Sequence, residues 1–274
     1  MTRARWTSLP EAAASIDDGA VVAPGGFMLG RAPMAMVFEL VRQARRDLHV
    51  ISLPNPLPAE ILVAAGAASR VEFLFAGVTL AGRVCPMPAL KQAIESASIR
   101  WAEHDGYRIV QRLRAAAMGL PFIPVPGYGG NDLARRDPLP AVTDPFTGES
   151  VPVEQAMYPD VALIHAQAAD DDGNLYIEDP TTDRVIAGAA RRVVATAERR
   201  VARVDNATIP GFMVDLVVEE PHGAYPTGCC GAYPADEDHL LAYLETVKAG
   251  GVERYLDEVV RGGRRQAEIA RVAA

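Results

Sequence analysis

Cysteine is nearly absent. The 274 residues hold three, Cys85, Cys229 and Cys230. An odd count with an adjacent pair is no disulfide framework of a secreted domain. Cys229-Cys230 also lacks the two-residue spacer of a zinc knuckle. Long apolar runs are missing too: none reaches the ~18 residues of a membrane span. The N-terminus, MTRARWTSLPEAAASIDDG, follows its basic residues with no continuous apolar segment, so no signal peptide is expected. Basic charge is short, and a net charge of -8 argues against a nucleic-acid binder. No Gly-Lys-Ser/Thr, Gly-x-Ser-x-Gly or His-Glu-x-x-His motif occurs. The five histidines, His49, His104, His165, His222 and His239, are scattered. A metal trio of His222, Cys229 and His239 fails on spacing, so no metal is expected. A soluble cytoplasmic protein with no membrane and no nucleic-acid partner is the default expectation.

What is present is apolar and small. Hydrophobic residues make up 49% and aromatics only 6%, with alanine and valine abundant. That composition suits helices packed closely on a sheet. A helix is predicted over 8–18, with Ser8 as N-cap and Pro10 and Glu11 in its first turn. Strands are then predicted over 20–23, 48–53, 71–75, 99–103 and 122–125. Helices opening at 32, 59, 88 and 107 alternate with them. The alternation predicts an α/β fold, an open, mostly parallel sheet with helices on both faces. Residues 126–150 are rich in Pro, Gly and Asp and read as a long excursion. Strands resume at 151–153, 161–168, 175–177, 193–196 and 214–218. The contiguous acids of Asp170-Asp171-Asp172 do not alternate as a calcium loop needs, so 170–174 reads as a solvated turn. Residues 236–272 read as helical. One domain over 1–274 is expected.

The chain is organised around Ala20–Arg46: strand, glycine loop, helix. Pro24-Gly25-Gly26 ends the strand, and Ala32-Pro33 opens the helix. Such a loop leaves backbone N–H groups where an anion or acyl group can sit. It reads Gly-Gly-x-x-x-Gly rather than Gly-x-Gly-x-x-Gly, and the next strand ends in Pro54-Asn55-Pro56 with no carboxylate for a ribose. A ligand loop and a bare tight turn both stay open. A second stretch, Trp101-Ala102-Glu103-His104-Asp105-Gly106-Tyr107, leaves a strand end and enters a helix. Strand C-termini are where open α/β sheets bind ligands, so these residues could do acid–base work. The plainer alternative is that Asp105 caps the helix.

Several segments, in order, resemble the alpha subunit of family I CoA-transferases. They are Val21–Phe27 with Gly30-Arg31-Ala32-Pro33, Asn55, Ala115–Phe122, and Pro159–Ala166 with Ala169-Asp170 and Gly173-Asn174. Ile209-Pro210-Gly211 with Val214-Asp215 completes the set. The resemblance implies a two-subunit enzyme that moves CoA between an acyl-CoA and a carboxylic acid, 3-oxo or dicarboxylic, by ping-pong covalent catalysis. CoA would be a substrate, with no permanently bound cofactor. The nucleophilic glutamate of the family stands in a Glu-x-Gly context on the beta subunit. No glutamate here is followed by x-Gly, and the chain is too short for both halves, so a beta subunit is the expected partner. The resemblance then assigns Gly25, Gly26, Phe27, Gly30, Arg31 and Asn55 to substrate or CoA binding. A side chain at Gly26 is expected to fill space the acyl-CoA needs. Many transferases carry Pro-Gln-Gly where this chain has His104-Asp105-Gly106. That puts Asp105 and Gly106 in the oxyanion region as candidate catalytic positions. A related branch of steroid-ring-cleaving CoA-thioester hydrolases has an acidic residue near this point, so C–C hydrolysis is the alternative. A non-catalytic structural partner is a third.

Overall fold

The structure, a computed structural model, describes residues 4–126, 132 and 138–272. Its centre is an eight-stranded sheet. In chain order the strands are β1 (Arg5–Trp6), β2 (Val21–Pro24), β3 (Leu48–Ser52) and β4 (Ala68–Phe73), then β5 (Arg100–Glu103), β6 (Val161–Ala166), β7 (Arg192–Ala197) and β8 (Leu216–Glu219). Across the sheet the order is β1-β8-β7-β6-β2-β3-β4-β5. Every pair is parallel. From β2 the chain runs outward through β3, β4 and β5. It then returns to β6, beside β2, and runs outward the other way. The order therefore reverses between β2 and β6. Open α/β sheets bind ligands at such a switch point, outside the carboxyl ends of the strands.

Helices cover both faces. They are α1 (Leu9–Ala14), α2 (Met34–Arg42), α3 (Pro56–Ala64), α4 (Pro88–Glu95), α5 (Gly106–Ala117), α6 (Asp183–Ala189) and α7 (Glu237–Lys248), with α8 (Val252–Tyr255) and α9 (Arg264–Val272) closing the chain. Strand side chains alternate between faces, and the core divides accordingly. Val22, Val50 and Leu163 join α2, α3 and α7 on one side. Ala23, Ile51 and Ile164 join α5 and α6 on the other. Ser8 caps α1 through a reciprocal capping box with Glu11. No helix among the described residues is long and apolar enough to cross a membrane.

Three departures from the sequence reading are local. Phe122–Pro124 is a strand, but it leaves the main sheet and pairs antiparallel with Ser150–Gln155. Pro121, Pro124 and Pro126 remove N–H donors, which confines such a segment to an edge. Of the expected excursion, 127–131 and 133–137 lie outside the described residues, while Ala141–Thr143 adds a third strand to the small sheet. A hairpin of Gly77–Leu80 and Arg83–Pro86 is not signalled in the sequence. Its turn places Ala81 and Gly82 at positive φ, 47° and 72°, and alanine gives no warning of that conformation. The expected turn at 170–174 joins Ala168–Asp170 to Leu175–Tyr176, but it is not solvated throughout: Asp170 is buried and accepts from Asn174 and from Val204 N–H.

Candidate active site

The glycine loop follows β2, at the β2–β6 switch point. Gly25 N–H donates to Leu163 O of β6 at 2.8 Å. Gly26 N–H donates to Asp183 Oδ1 at 3.0 Å, in the first turn of α6. A Cβ on Gly25 would stand 2.5 Å from Asp183 Oδ1. One on Gly26, at φ +85°, would stand 2.5 Å from Gly30 O and 2.6 Å from Arg31 O. Both glycines are therefore required by the loop's own closure. Phe27 and Gly30 exchange backbone bonds of 2.9 and 2.7 Å across a two-residue turn of Met28 and Leu29. Phe27 is 45% exposed.

Arg31 is not where the resemblance placed it. Its side chain is wholly buried and cannot meet a ligand directly. Nη2 donates to Asp183 Oδ2 at 2.9 Å and to Asp179 O at 2.9 Å. Nε donates to Asp179 Oδ1 at 2.5 Å, and Nη1 to His165 O at 3.2 Å. Burial would lower the Arg31 pKa, but the bonds and charges of Asp183 and Asp179 outweigh it and raise it. Arg31 and Asp183 thus form a buried clamp behind the loop. Asn55, buried at the end of β3, donates from Nδ2 to Gly25 O. Its Oδ1 has no hydrogen-bond partner among the described residues. Gly25, Gly26, Phe27 and Gly30 after β2 are brought together with Asn55 after β3, at two neighbouring strand ends. Sequence reasoning missed Asp183 and Asp179: they lie some 150 positions along the chain, and nothing local marks them.

Asp105 and Gly106 sit at the same edge of the sheet but follow β5, three strands from β2. At ~4.8 Å per strand the two strand ends are roughly 14 Å apart. Asp105 is the N-cap of α5, accepting from Tyr107 N–H at 2.8 Å and Arg108 N–H at 3.3 Å. A Cβ on Gly106 would meet nothing nearer than Leu74 Cδ2, at 3.8 Å. Beside them is a buried ionic group the sequence did not suggest. Glu72 of β4 faces His104 Nε2 at 2.7 Å, His49 Nε2 at 3.0 Å, Arg70 at 2.7 Å and Arg112 at 3.1 Å. Burial would raise the Glu72 carboxyl, but hydrogen bonds from His104 and His49 and the Arg112 charge hold it far below the usual carboxylate range.

Cys229 lies not with His222 and His239 but with His165 and Glu198, ligand atoms within 4.8 Å of one another. His165 Nδ1 is engaged by Thr196 Oγ1 and Nε2 by Glu198 Oε1, both at 2.7 Å. Burial pushes the Cys229 thiol up to about 12. Glu198 also accepts from Tyr233 Oη at 2.6 Å and from His222 N–H at 2.7 Å, so His165 and Glu198 are held by protein hydrogen bonds beside the Cys229 thiol.

A glycine loop at the switch point of a parallel sheet, with the clamp behind it, is matched by one family model. Residues 6–220 fit Coenzyme A transferase. The chain belongs to the Coenzyme A transferase family. A 3-oxoadipate CoA-transferase chain from Pseudomonas knackmussii is 30% identical over 90% of this chain and 90% of its own length. An IpdA chain of a cholesterol ring-cleaving hydrolase from Rhodococcus jostii is 29% identical, covering 90% and 88%. An uncharacterised protein of Archaeoglobus fulgidus is 33% identical over 90% of this chain, which spans only 57% of that protein's length. Among solved structures, glutaconate CoA-transferase from Acidaminococcus fermentans superposes with a TM-score of 0.86 at 28% identity, covering 94% and 89%. A cysteine-to-serine variant of the decarboxylase AibA/AibB superposes with a TM-score of 0.92 at 59% identity, covering 95% of this chain and 100% of that one. The transferase and the open parallel sheet expected from the sequence both stand within this family.

Proposed function

We propose that this chain is the alpha subunit of a two-chain enzyme acting on an acyl-CoA. The observation that carries it is the clamped glycine loop at the β2–β6 switch point, in a sequence with no Glu-x-Gly. This chain offers the acyl-CoA a rigid backbone surface, and a beta subunit brings the reactive side chain. CoA transfer to a carboxylic acid, 3-oxo or dicarboxylic, is the reading its transferase relatives support. The partner's glutamate would attack the thioester, and CoA would return to the exchanged acid. CoA is substrate, no resident cofactor is needed, and the cytoplasm is where the complex would work. Phe27, the exposed residue of the loop, is the side chain best placed to touch the ligand.

A second reading has its own observation. Identity to the AibA/AibB chain is 59%, about twice that to either transferase relative, at 30% and 28%. In that reading the same loop holds an acyl-CoA whose carboxylate stands on the α carbon or is conjugated to the thioester through a C=C, so that CO2 leaves, its bonding pair spreads onto the thioester carbonyl, and a proton from water takes its place while CoA stays attached. Reconstitution with the beta chain separates the two. A dicarboxylic acyl-CoA is supplied with labelled acetate, and products are followed by mass. Labelled acetyl-CoA without CO2 release supports transfer. An acyl-CoA shorter by one CO2 supports decarboxylation. In a parallel reaction with a cyclic 1,3-diketone acyl-CoA, ring opening by uptake of one water, with CoA retained, would instead support the C–C hydrolase reading. No reaction of any kind defeats the assignment to an acyl-CoA enzyme.

A further inference from the structure

Three segments deliver three different side chains to one buried point behind the clamp. His165 comes from β6, Glu198 follows the end of β7, and Cys229 follows Gly228, which bridges to Gly30 of the loop. His165 and Cys229 are wholly buried, and the Glu198 side chain is only 11% exposed. Their nitrogen, oxygen and sulfur lie within 4.8 Å of one another. The Cys229 thiol has no hydrogen-bond partner among the described residues. A glycine makes room for the ring: a Cβ on Gly223 would stand 2.6 Å from His165 Cε1. A carboxylate placed against a buried thiol adds nothing to apolar packing and costs desolvation, so the grouping calls for a positive charge.

We propose that His165 Nε2, Glu198 Oε1 and Cys229 Sγ bind a divalent cation, zinc before others. One nitrogen, one oxygen and one sulfur suit zinc, whereas calcium and magnesium take oxygen ligands. Zinc bonds of about 2.3 Å to sulfur and about 2.0–2.2 Å to nitrogen and oxygen put tetrahedral donors roughly 3.3–3.6 Å apart. The sulfur therefore closes in by up to about 1 Å from the 4.8 Å limit. Nε2 and Oε1, now sharing a proton at 2.7 Å, open by roughly half an ångström.

The groups that orient such ligands are already in place. His165 Nδ1 faces Thr196 Oγ1 at 2.7 Å, and that hydroxyl reaches Ile164 O at 3.5 Å. Glu198 Oε2 accepts from His222 N–H at 2.7 Å. When the cation binds, the Nε2 proton is exchanged for one on Nδ1, which donates to Thr196 Oγ1. The Cys229 thiol proton goes to water, so one proton is released per ion. Three protein donors leave a fourth position for water. His165 O accepts from Arg31 Nη1 at 3.2 Å, and Gly228 exchanges backbone bonds with Arg31 and Leu29. The ion would thus tie β6, β7 and the Cys229 segment together across the back of the glycine loop. It touches no substrate, and the assignment stands apart from the acyl-CoA reading.

The test is metal loading of the full chain after stripping with a chelator. Co2+ should bind at one ion per chain, with tetrahedral d–d bands in the visible and a thiolate-to-cobalt band in the near ultraviolet. Cys229→Ser should lose the thiolate band, and Cys230→Ser, at the exposed neighbour, should keep it. Zinc at about a hundredfold excess over its Kd should raise the wild-type melting temperature by several degrees, and that of Cys229→Ser far less. The thiol has no hydrogen bond to lose, so the two stripped proteins should melt together. If Cys229→Ser does not fold, X-ray absorption of the zinc-loaded wild type decides. It should show one sulfur at about 2.3 Å and nitrogen or oxygen at about 2.0–2.2 Å. A chain that takes up neither Co2+ nor Zn2+ overturns the site. So does a thiolate band that survives Cys229→Ser or vanishes in Cys230→Ser, or a zinc shell with no sulfur or with two.

Discussion

Asp105 binds the first turn of α5 with one carboxylate oxygen, through the N–H groups of Tyr107 and Arg108. Asparagine caps a helix about as well, so Asp105→Asn should keep both the melting temperature and most of kcat in the complex. Asp105→Ala should cost about 1 kcal/mol of stability, read from urea denaturation. A hundredfold loss in the asparagine variant at unchanged melting temperature would instead mark a general base. Glu72 should make stability depend on pH. Its carboxyl is depressed in the folded state by His104, His49 and Arg112. A depressed carboxylate adds stability that is complete well above its ordinary value of 4.5 and drains away as pH falls below it toward the folded value. Glu72→Gln should flatten the loss of stability as pH falls below that ordinary value, measured by urea midpoints at each pH. An unchanged acid limb would remove Glu72 from the account.

The glycine loop behaves as an element with its own interior. The expectation from sequence, that a side chain on Gly26 would fill ligand space, is corrected by the structure. The added Cβ would meet Gly30 O and Arg31 O, both backbone of the same loop, and at φ +85° it would be strained regardless. Gly26→Val should therefore lower the melting temperature as well as activity, and Gly26→Ala should do so to a lesser degree. The clamp behind the loop is equally structural. Arg31→Ala leaves Asp183 buried beside Gly26 without its cation, and should destabilise by roughly 3–5 kcal/mol. Denaturant titration of the chain checks this. An effect under about 1 kcal/mol would show the pair to be solvated like a surface ion pair.

At the scale of the whole molecule, the site is one edge of a sheet with no nucleophile of its own on the loop. The isolated chain should show no turnover with acetate, succinate and a panel of acyl-CoAs, and activity should appear on mixing with the beta chain. Clear turnover by the lone chain would remove the need for a partner's glutamate. The alternation of strands and helices was readable because several apolar segments are punctuated by Gly or Pro at their ends, as at Pro24-Gly25, Pro54 and Gly119. The loop residues Gly25, Gly26 and Asn55 were singled out through family resemblance, and the fold brings them into contact at the neighbouring ends of β2 and β3.

Local chemistry is written along the chain. The Ser8 capping box and the Asp105 cap each depend on residues within three positions of one another, so the sequence offered both, whereas the turn at 170–174 is local in outline but also held by Val204 and Gly211. The order of strands is different. The placement of β6 beside β2 joins segments about 140 residues apart, and only packing both faces of the sheet selects it. That one adjacency creates the switch point, brings Asp183 to Gly26 and buries Arg31. Which N–H groups are engaged depends on acceptors supplied from Pro54, Leu163, Asp183, Thr227 and Gly228. No periodicity or spacing records those distances, so the tertiary structure decided them.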